Sequence, residues 1–559
     1  MTMNTPADIA QALKRGENLI NAGRFADAAG VFREILTAAP NDVSALTGLG
    51  LALFQSGDHP GAETALRGCL QRAPTVTGAS LVLGTLLGQH GRFIEAETVM
   101  RAAAASAPKS GHVWQVLGNS LHRQGRLEEA EGTYRQALAL LPNEALLWDQ
   151  LGDVLLKRGN AGAAEEAFRK AMRLQPRAAA PITNLGRILE ERGDLDGAIA
   201  LHDQAIARDA NFPFAYINRG NARRFKNDFA GAIADFDTAL RVAPGMSEAR
   251  GCRGYVLLTL GELAKGWPDY AFRIAGQPGA FAPADATGWQ GESLAGKRIV
   301  VWTEYGVGDE ILAASLLPEL AQTAAHCTLL CEPRLVTLFQ RSFPNVSVQP
   351  RATADIGPFD FKFALADAAR YLRPDFAAFP KRAGFLVPDP QRVAAIKARL
   401  PQGRNIGISW RSASPSTGVF KSMSLADWQP ILSSPGVHFH NLQYGDTASE
   451  IDSTRARIGV DVASETTVDP LTDLDGFAAQ VAAMDLVISV SNTTVHFAGG
   501  LGTPVWTLVP HGHGAHWYWF RERADSPWYP TMKLFRQAAQ GQWAPVLGDI
   551  AASLKAWAA

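Results

Sequence analysis

Small and apolar residues in the first half of the chain recur at a fixed step of 34 positions. One glycine series runs through Gly16, Gly50, Gly84, Gly118, Gly152, Gly186, Gly220 and Gly254. A second runs through Gly23, Gly57, Gly91, Gly125, Gly159, Gly193 and Gly261, with Asn227 in the one place where glycine is missing. Alanines keep the step from Ala28 to Ala232, and prolines from Pro40 to Pro244 with Ala210 as the single departure. Large apolar residues fall between them at Phe32, Tyr134, Phe168 and Phe236. Each unit therefore predicts a pair of helices. The small residues let the two approach, the large one fills the gap, and proline stops the second helix. Seven such units fit between about Ile9 and Met246, and a truncated eighth ends near Arg273.

Beyond Lys297 the rhythm changes to short apolar runs separated by helical patterns. These predict strands at Ile299–Trp302, Thr328–Cys331, Val346–Val348 and Phe361–Phe363. A second set is expected at Ile406–Trp410, Phe439–Tyr444, Val460–Val462, Leu486–Val490, Pro504–Val509 and Met532–Phe535. The Gly-, Pro- and Ala-rich stretch between the two patterns reads as an extended linker. The expected fold class is α plus α/β. An α-solenoid occupies 1–274 and a linker 275–296. Two Rossmann-like halves follow at 297–395 and 396–559.

The 34-residue period with these placements is the tetratricopeptide pattern. Single units cannot bury their own apolar faces, so they stack into a superhelix with an inner groove suited to a protein or peptide. Asn184 and Asn218 stand two residues before the glycine of their units, and Asn119, Asp153, Arg187 and Asn221 one residue after it. They either hold the backbone amides of an extended peptide or line a solvated face.

Composition narrows the function classes. The 53 basic and 54 acidic residues leave a net charge of −1, which argues against a nucleic-acid-binding surface. The four cysteines are too scattered for a disulfide framework. No apolar run has transmembrane length and the first residues lack a signal-peptide core, so the expectation is a cytoplasmic protein.

The candidate chemistry lies at strand ends. After Leu486–Val490, the residues Asn492, Thr493 and Thr494 open a helix whose N–H groups suit a phosphate. Ordinary N-capping explains the same residues. After Ile299–Trp302, Gly306 and Gly308 suggest a tight turn, with Asp309 and Glu310 in the first turn of the next helix. The second half offers further phosphate-compatible groups at Ser409, Arg411, Ser412, Ser414, Ser416, Thr417 and Lys421. Gln443 sits where it could read a base or ribose. His496 either faces a nucleotide or is a buried, hydrogen-bonded helix residue. The HGHGAH run (His511, His513, His516) lacks Cys or carboxylate partners, so a glycine-flexible loop with Trp517 and Trp519 packing the cleft is expected there, not a metal site.

Several blocks resemble the GT-B glycosyltransferases, in particular the heptosyltransferase-like domains fused to tetratricopeptide arrays. They are GELAKGWPDYAFR, GWQGESLAGKRIVVWTEYGVGDEI, GISWR…K, DLVISVSNTTVHFAGGLGTPVW and DSPWYPTMKLFRQ. The plan is also similar to flagellin-modifying enzymes, in which repeats hold flagellin and the catalytic half transfers a nonulosonic acid. The nucleocytoplasmic O-GlcNAc transferases share it too. The resemblance implies an inverting, metal-independent transfer from a CMP-, UDP- or ADP-linked sugar to Ser or Thr of a protein, with flagellin the acceptor. Asp309 would be the base, with Glu304 and Glu310 as fallbacks. Gly306, Gly308, Ser409, Arg411, Lys421, Gln443, Asn492, Thr493, Thr494 and His496 would bind the donor. A lipopolysaccharide-glycan transferase and an inactive scaffold are the competing readings. One departure stands out: Ser491-Asn492 occupies the place of the family's Asp-Thr.

Overall fold

The computed structural model describes residues 5–273, 288–351, 356–414 and 417–559. Most of the expected linker, and Ser416, lie outside them. Among the described residues sixteen helices, from Pro6–Asn21 to Leu263–Tyr270, precede the first strand. The first glycine series has a steric cause. A Cβ on Gly16 would meet the Phe32 ring at 2.5 Å, one on Gly118 the Tyr134 ring at 2.7 Å, and one on Gly152 the Phe168 ring at 2.5 Å. The second series has a conformational cause. Its members end the first helix of each pair with φ between +73° and +86°, the left-handed region open to glycine, and Asn227 adopts φ 61° in their stead. Trp114 and Trp148 donate their indole N–H to the carbonyls of Pro108 and Pro142, at 2.8 and 2.9 Å, tying each unit to the proline before it.

The chain divides into two compact units, 1–219 and 220–559. The division falls within the helix Pro213–Phe225 and not at the expected end of the array near 274. The last repeat helices thus belong to the same body as the strands. Within that second unit the Trp267 indole donates to the Arg373 carbonyl at 2.8 Å, and Tyr255 donates its hydroxyl to the Ala515 carbonyl at 3.0 Å. The rings of Phe225 and His513 stack with centroids 3.9 Å apart.

Two parallel sheets follow. The first comprises β1 (Arg298–Trp302), β2 (His326–Cys331), β3 (Val346–Pro350) and β4 (Phe361–Ala364), in the order β3-β2-β1-β4. The second comprises β5 (Arg404–Ser409), β6 (Val437–Asn441), β7 (Val462–Ser464), β8 (Leu486–Val490), β9 (Val505–Val509) and β10 (Met532–Arg536), ordered β10-β9-β8-β5-β6-β7. All their pairings are parallel. β8 and β9 are buried at every position, as expected of central strands covered on both faces. Differences from the expected strands lie at their ends. Trp410 falls outside β5 because Gln443 Oε1 accepts the N–H groups of Trp410 and Arg411, at 3.0 and 2.7 Å, in place of a neighbouring strand. Among the described residues no helix is long and apolar enough to cross a membrane.

Candidate functional site

The site is built where β1 and β8 end. From β1 the chain turns through Thr303–Gly306 into the helix Val307–Ala314. The left-handed residue of this turn is Tyr305, with φ 62°, whereas Gly306 is extended at φ −91°. The tight-turn role expected of the two glycines is therefore corrected. Gly308 is small because the helix Thr493–Leu501 lies against it: a Cβ there would come within 2.8 Å of His496 Cδ2. His496 itself is fixed, with Nδ1 2.9 Å from the Tyr529 hydroxyl and its ring stacked on Trp519 at 5.4 Å.

That helix contact leaves a cleft of about 620 Å³, the size of a small-molecule site, beside Asp309, Lys421, Thr493 and His496. Burial pushes Asp309 up to about 6, against the opposing pull of backbone N–H groups at Gly306 and Asp309 and of the Lys421 charge. Lys421 is 3 % exposed and donates to His516 Nε2 at 2.7 Å. Desolvation lowers it to about 8, with Asp309 pulling the other way. Burial and the Lys421 charge hold His516 well below the usual imidazole range, so it accepts as a neutral ring. A carboxylate and a buried ammonium thus coexist around neutral pH, facing one cleft and coupled through space.

The expected donor-binding residues separate into two groups. Gly306, Gly308, Asp309, Lys421, Asn492, Thr493 and His496 line the cleft, together with Ser412 and Ser414. Ser409, Arg411, Gln443 and Thr494 instead hold its walls. Ser409 is fully buried and donates to Gln443 Oε1 at 3.0 Å, which commits that carboxamide oxygen to β5 and corrects the base-or-ribose role expected of Gln443. Arg411 turns away to Glu450, at 3.3 Å. Thr494 is fully buried. Asn492 is mostly committed as well. Its Oδ1 caps the helix by accepting the Thr494 N–H at 3.0 Å, and its Nδ2 donates to Ser409 Oγ at 2.7 Å and the Arg411 carbonyl at 2.9 Å. Ser491, in the place of the family's aspartate, accepts the Trp519 indole N–H at 2.8 Å.

Of the two fallback acids, Glu310 is the weaker. Its oxygens accept from Thr303, the Glu332 N–H and Arg351, and it is 1 % exposed. Glu304 pairs with Arg273. The three histidines of HGHGAH diverge. His511 meets Asn227 at 2.6 Å, His513 lies between the Phe225 and Phe420 rings, and His516 takes Lys421. Sequence reasoning missed Arg334, Tyr444 and Tyr518 as lining residues. Arg334 had a signal, a basic residue three positions after the end of a strand, but Tyr444 and Tyr518 enter through long-range packing.

In the first unit the ladder of polar residues is knitted to itself. Asn184 donates to Asp149 at 2.9 Å, and Arg187 bridges Asp153 at 3.0 Å and Asn184 at 3.3 Å. Asn119 accepts from the Tyr134 hydroxyl at 2.7 Å. Asn218 is half-buried, and in the second unit Asn221 leaves a buried Oδ1 with no partner among the described residues.

Comparison with known proteins agrees on the repeats. A tetratricopeptide-repeat model matches residues 13–76, 81–145, 150–215 and 217–271, so the N-terminal region is an array of these repeats, modules that commonly bind protein partners. Protein FlbA of Caulobacter vibrioides is 37 % identical over 338 residues, which is 55 % of this chain and 55 % of FlbA. The chain therefore spans about half the length of that relative. Solved structures similar to parts of the chain include a tetratricopeptide repeat protein from Parabacteroides merdae (17 % identity, 43 % of this chain and 94 % of that one, TM-score 0.38). The APC/C hetero-tetramer Cut9-Hcn1 is another (18 % identity, 48 % and 53 %, TM-score 0.37).

Proposed function

We propose that the chain is a protein O-glycosyltransferase of GT-B type, inverting and metal-independent. It would move a sugar from a nucleotide sugar to Ser or Thr of a protein held by the repeats. The observation that carries this reading is that Asp309 and buried Lys421 line one cleft at the carboxyl edges of two parallel sheets, where such folds bind ligands. The acceptor oxygen attacks the anomeric carbon and its proton passes to the Asp309 carboxylate. The bond from that carbon to the phosphate oxygen breaks, and its electron pair leaves with the nucleotide. Lys421 and the N-terminus of the helix Thr493–Leu501 offset the charge that develops on the phosphate. With that cation supplied by a side chain, the step needs no metal. Flagellin as acceptor, and a nonulosonic acid as the sugar, rest on the resemblance to flagellin-modifying enzymes.

The test mixes the full chain with flagellin and, in turn, CMP-, UDP- and ADP-sugars, and follows nucleotide release and acceptor mass. The expected result is release with one donor and a matching mass increase. Asp309→Asn should keep donor binding and lose transfer by about 10²–10⁴-fold, the usual contribution of a general base. Release from no donor would point to a binding scaffold, and full activity in Asp309→Asn would remove Asp309 as the base.

A further inference from the structure

Three of the sequence blocks quoted above converge on a second space, and only TEYGVGDE among them also lines the cleft. GWPDYAFR contributes Trp267, Tyr270 and Arg273; TEYGVGDE contributes Glu304, Tyr305 and Asp309; DSPWYP contributes Trp528. Together with Trp517 and Tyr518 they enclose a second, smaller cavity of about 40 Å³ that adjoins the cleft at Asp309. Asp309 and Tyr518 line both spaces.

The small cavity has a defined chemistry. Its walls are aromatic faces, held in place by the Trp517 indole donating to the Tyr270 hydroxyl at 3.0 Å and by Trp267 packed edge-on against Trp517 at 5.3 Å. Arg273 pairs with Glu304 and Asp367. Glu304, whose side chain is 10 % exposed, leaves Oε1 buried with no partner among the described residues. An unsatisfied buried carboxylate oxygen is costly unless a ligand donor reaches it. Tyr305 stands at the same place with a left-handed backbone and 52 % exposure, a strained aromatic residue where glycine would be relaxed.

We infer that this aromatic pocket receives the side chain of the acceptor residue, an aliphatic hydroxyl of Ser or Thr in a polypeptide. The hydroxyl meets Asp309 from the small cavity, the donor lies in the adjoining cleft, and Glu304 Oε1 accepts a hydrogen bond from the acceptor. Since a water needs about 10–15 Å³ on this measure, the pocket holds roughly three waters' worth of ligand. That suits a short side chain and excludes a hexose ring. The inference rests on the transferase reading and deepens it: a polypeptide, not a glycan, is the substrate class. The transfer step is the one already written, with the proton going to Asp309 and the electron pair to the departing phosphate.

The test uses the full chain and two small probes, N-acetyl-threonine methylamide and methyl glucoside, and reads the indole N–H resonances of Trp267, Trp517 and Trp528 by NMR. The threonine probe should shift these signals saturably, and methyl glucoside should leave them in place. Ala366→Phe, which fills the pocket from its wall, should weaken the threonine response about tenfold or more, equivalent to a tenfold rise in Kd. Tyr305→Gly, which relieves the backbone and therefore folds, should weaken it too. No response in the parent chain, an unchanged response in both variants, or a response to methyl glucoside in place of the threonine probe would overturn the assignment. This readout needs no transfer, so it fails or succeeds independently of nucleotide release.

Discussion

Asp309 pays for its position in stability, and the cost has a defined pH dependence. Burial lifts it from 3.8 to about 6, so the folded chain binds that proton more tightly than the unfolded chain does. The penalty is absent below the unfolded value, grows as pH rises through about 6, and is constant above it. The displacement corresponds to about 3 kcal/mol at full development. Asp309→Asn is therefore expected to be more stable than the parent at pH 7, with the gain shrinking towards pH 4; denaturant titrations at the two pH values measure it. Lys421, lowered to about 8, loses its charge above that pH. Transfer should accordingly follow a bell with limbs near 6 and 8 that belong to the pair and not to either residue alone. A flat profile across that range would show that the two groups do not control the step.

Among the elements, the repeat helices carry a ladder that the glycine and proline series concealed. Glu63, Glu97, Glu131 and Glu165 also keep the 34-residue step. Each pairs with an arginine four residues on and with one from the following unit, as Glu97 does with Arg101 and Arg126, both at 2.7 Å. Glu97 is only 12 % exposed, so Glu97→Ala removes the more buried of the two carboxylates that Arg101 and Arg126 share, leaving them Glu129, and is expected to cost about 1–3 kcal/mol. Hydrogen exchange should show the loss in the helices Phe93–Ser106 and Leu127–Leu140 and not uniformly along the array. The same contrast explains how much was legible in the sequence. Helices and strands follow from local periodicity, and every expected strand is present within a few residues of its expected ends. The cleft's walls are not local: Ser409 meets Gln443 across 34 residues and Lys421 meets His516 across 95. Residue type alone gave Ser409, Arg411 and Gln443 a ligand to bind, and only the fold shows that β5, Glu450 and Asn492 already occupy them.

For the whole molecule, the position of the division near residue 219 sets what can be cut. A chain beginning at 275 would lose Tyr255, Trp267 and Asn227, and with them the contacts to Ala515, Arg373 and His511. A chain beginning at 211, ahead of the helix Pro213–Phe225, keeps all three. The longer fragment is expected to give a cooperative thermal transition and resist proteolysis, and the shorter one to be cleaved rapidly. Equal resistance of the two would mean that those helices contribute nothing to the second unit.

The Asn227 exception has a practical meaning for re-engineering. At every equivalent position a glycine ends the helix and offers nothing sideways, whereas Asn227 uses the same turn to extend a carboxamide to His511. A donor array spliced in to redirect the protein to a new client would ordinarily import a glycine at that point. The graft should therefore stop short of it and retain the native chain from Gly220 onward, so that client choice is exchanged while the loop bearing His516, and through it Lys421, keeps its own anchor.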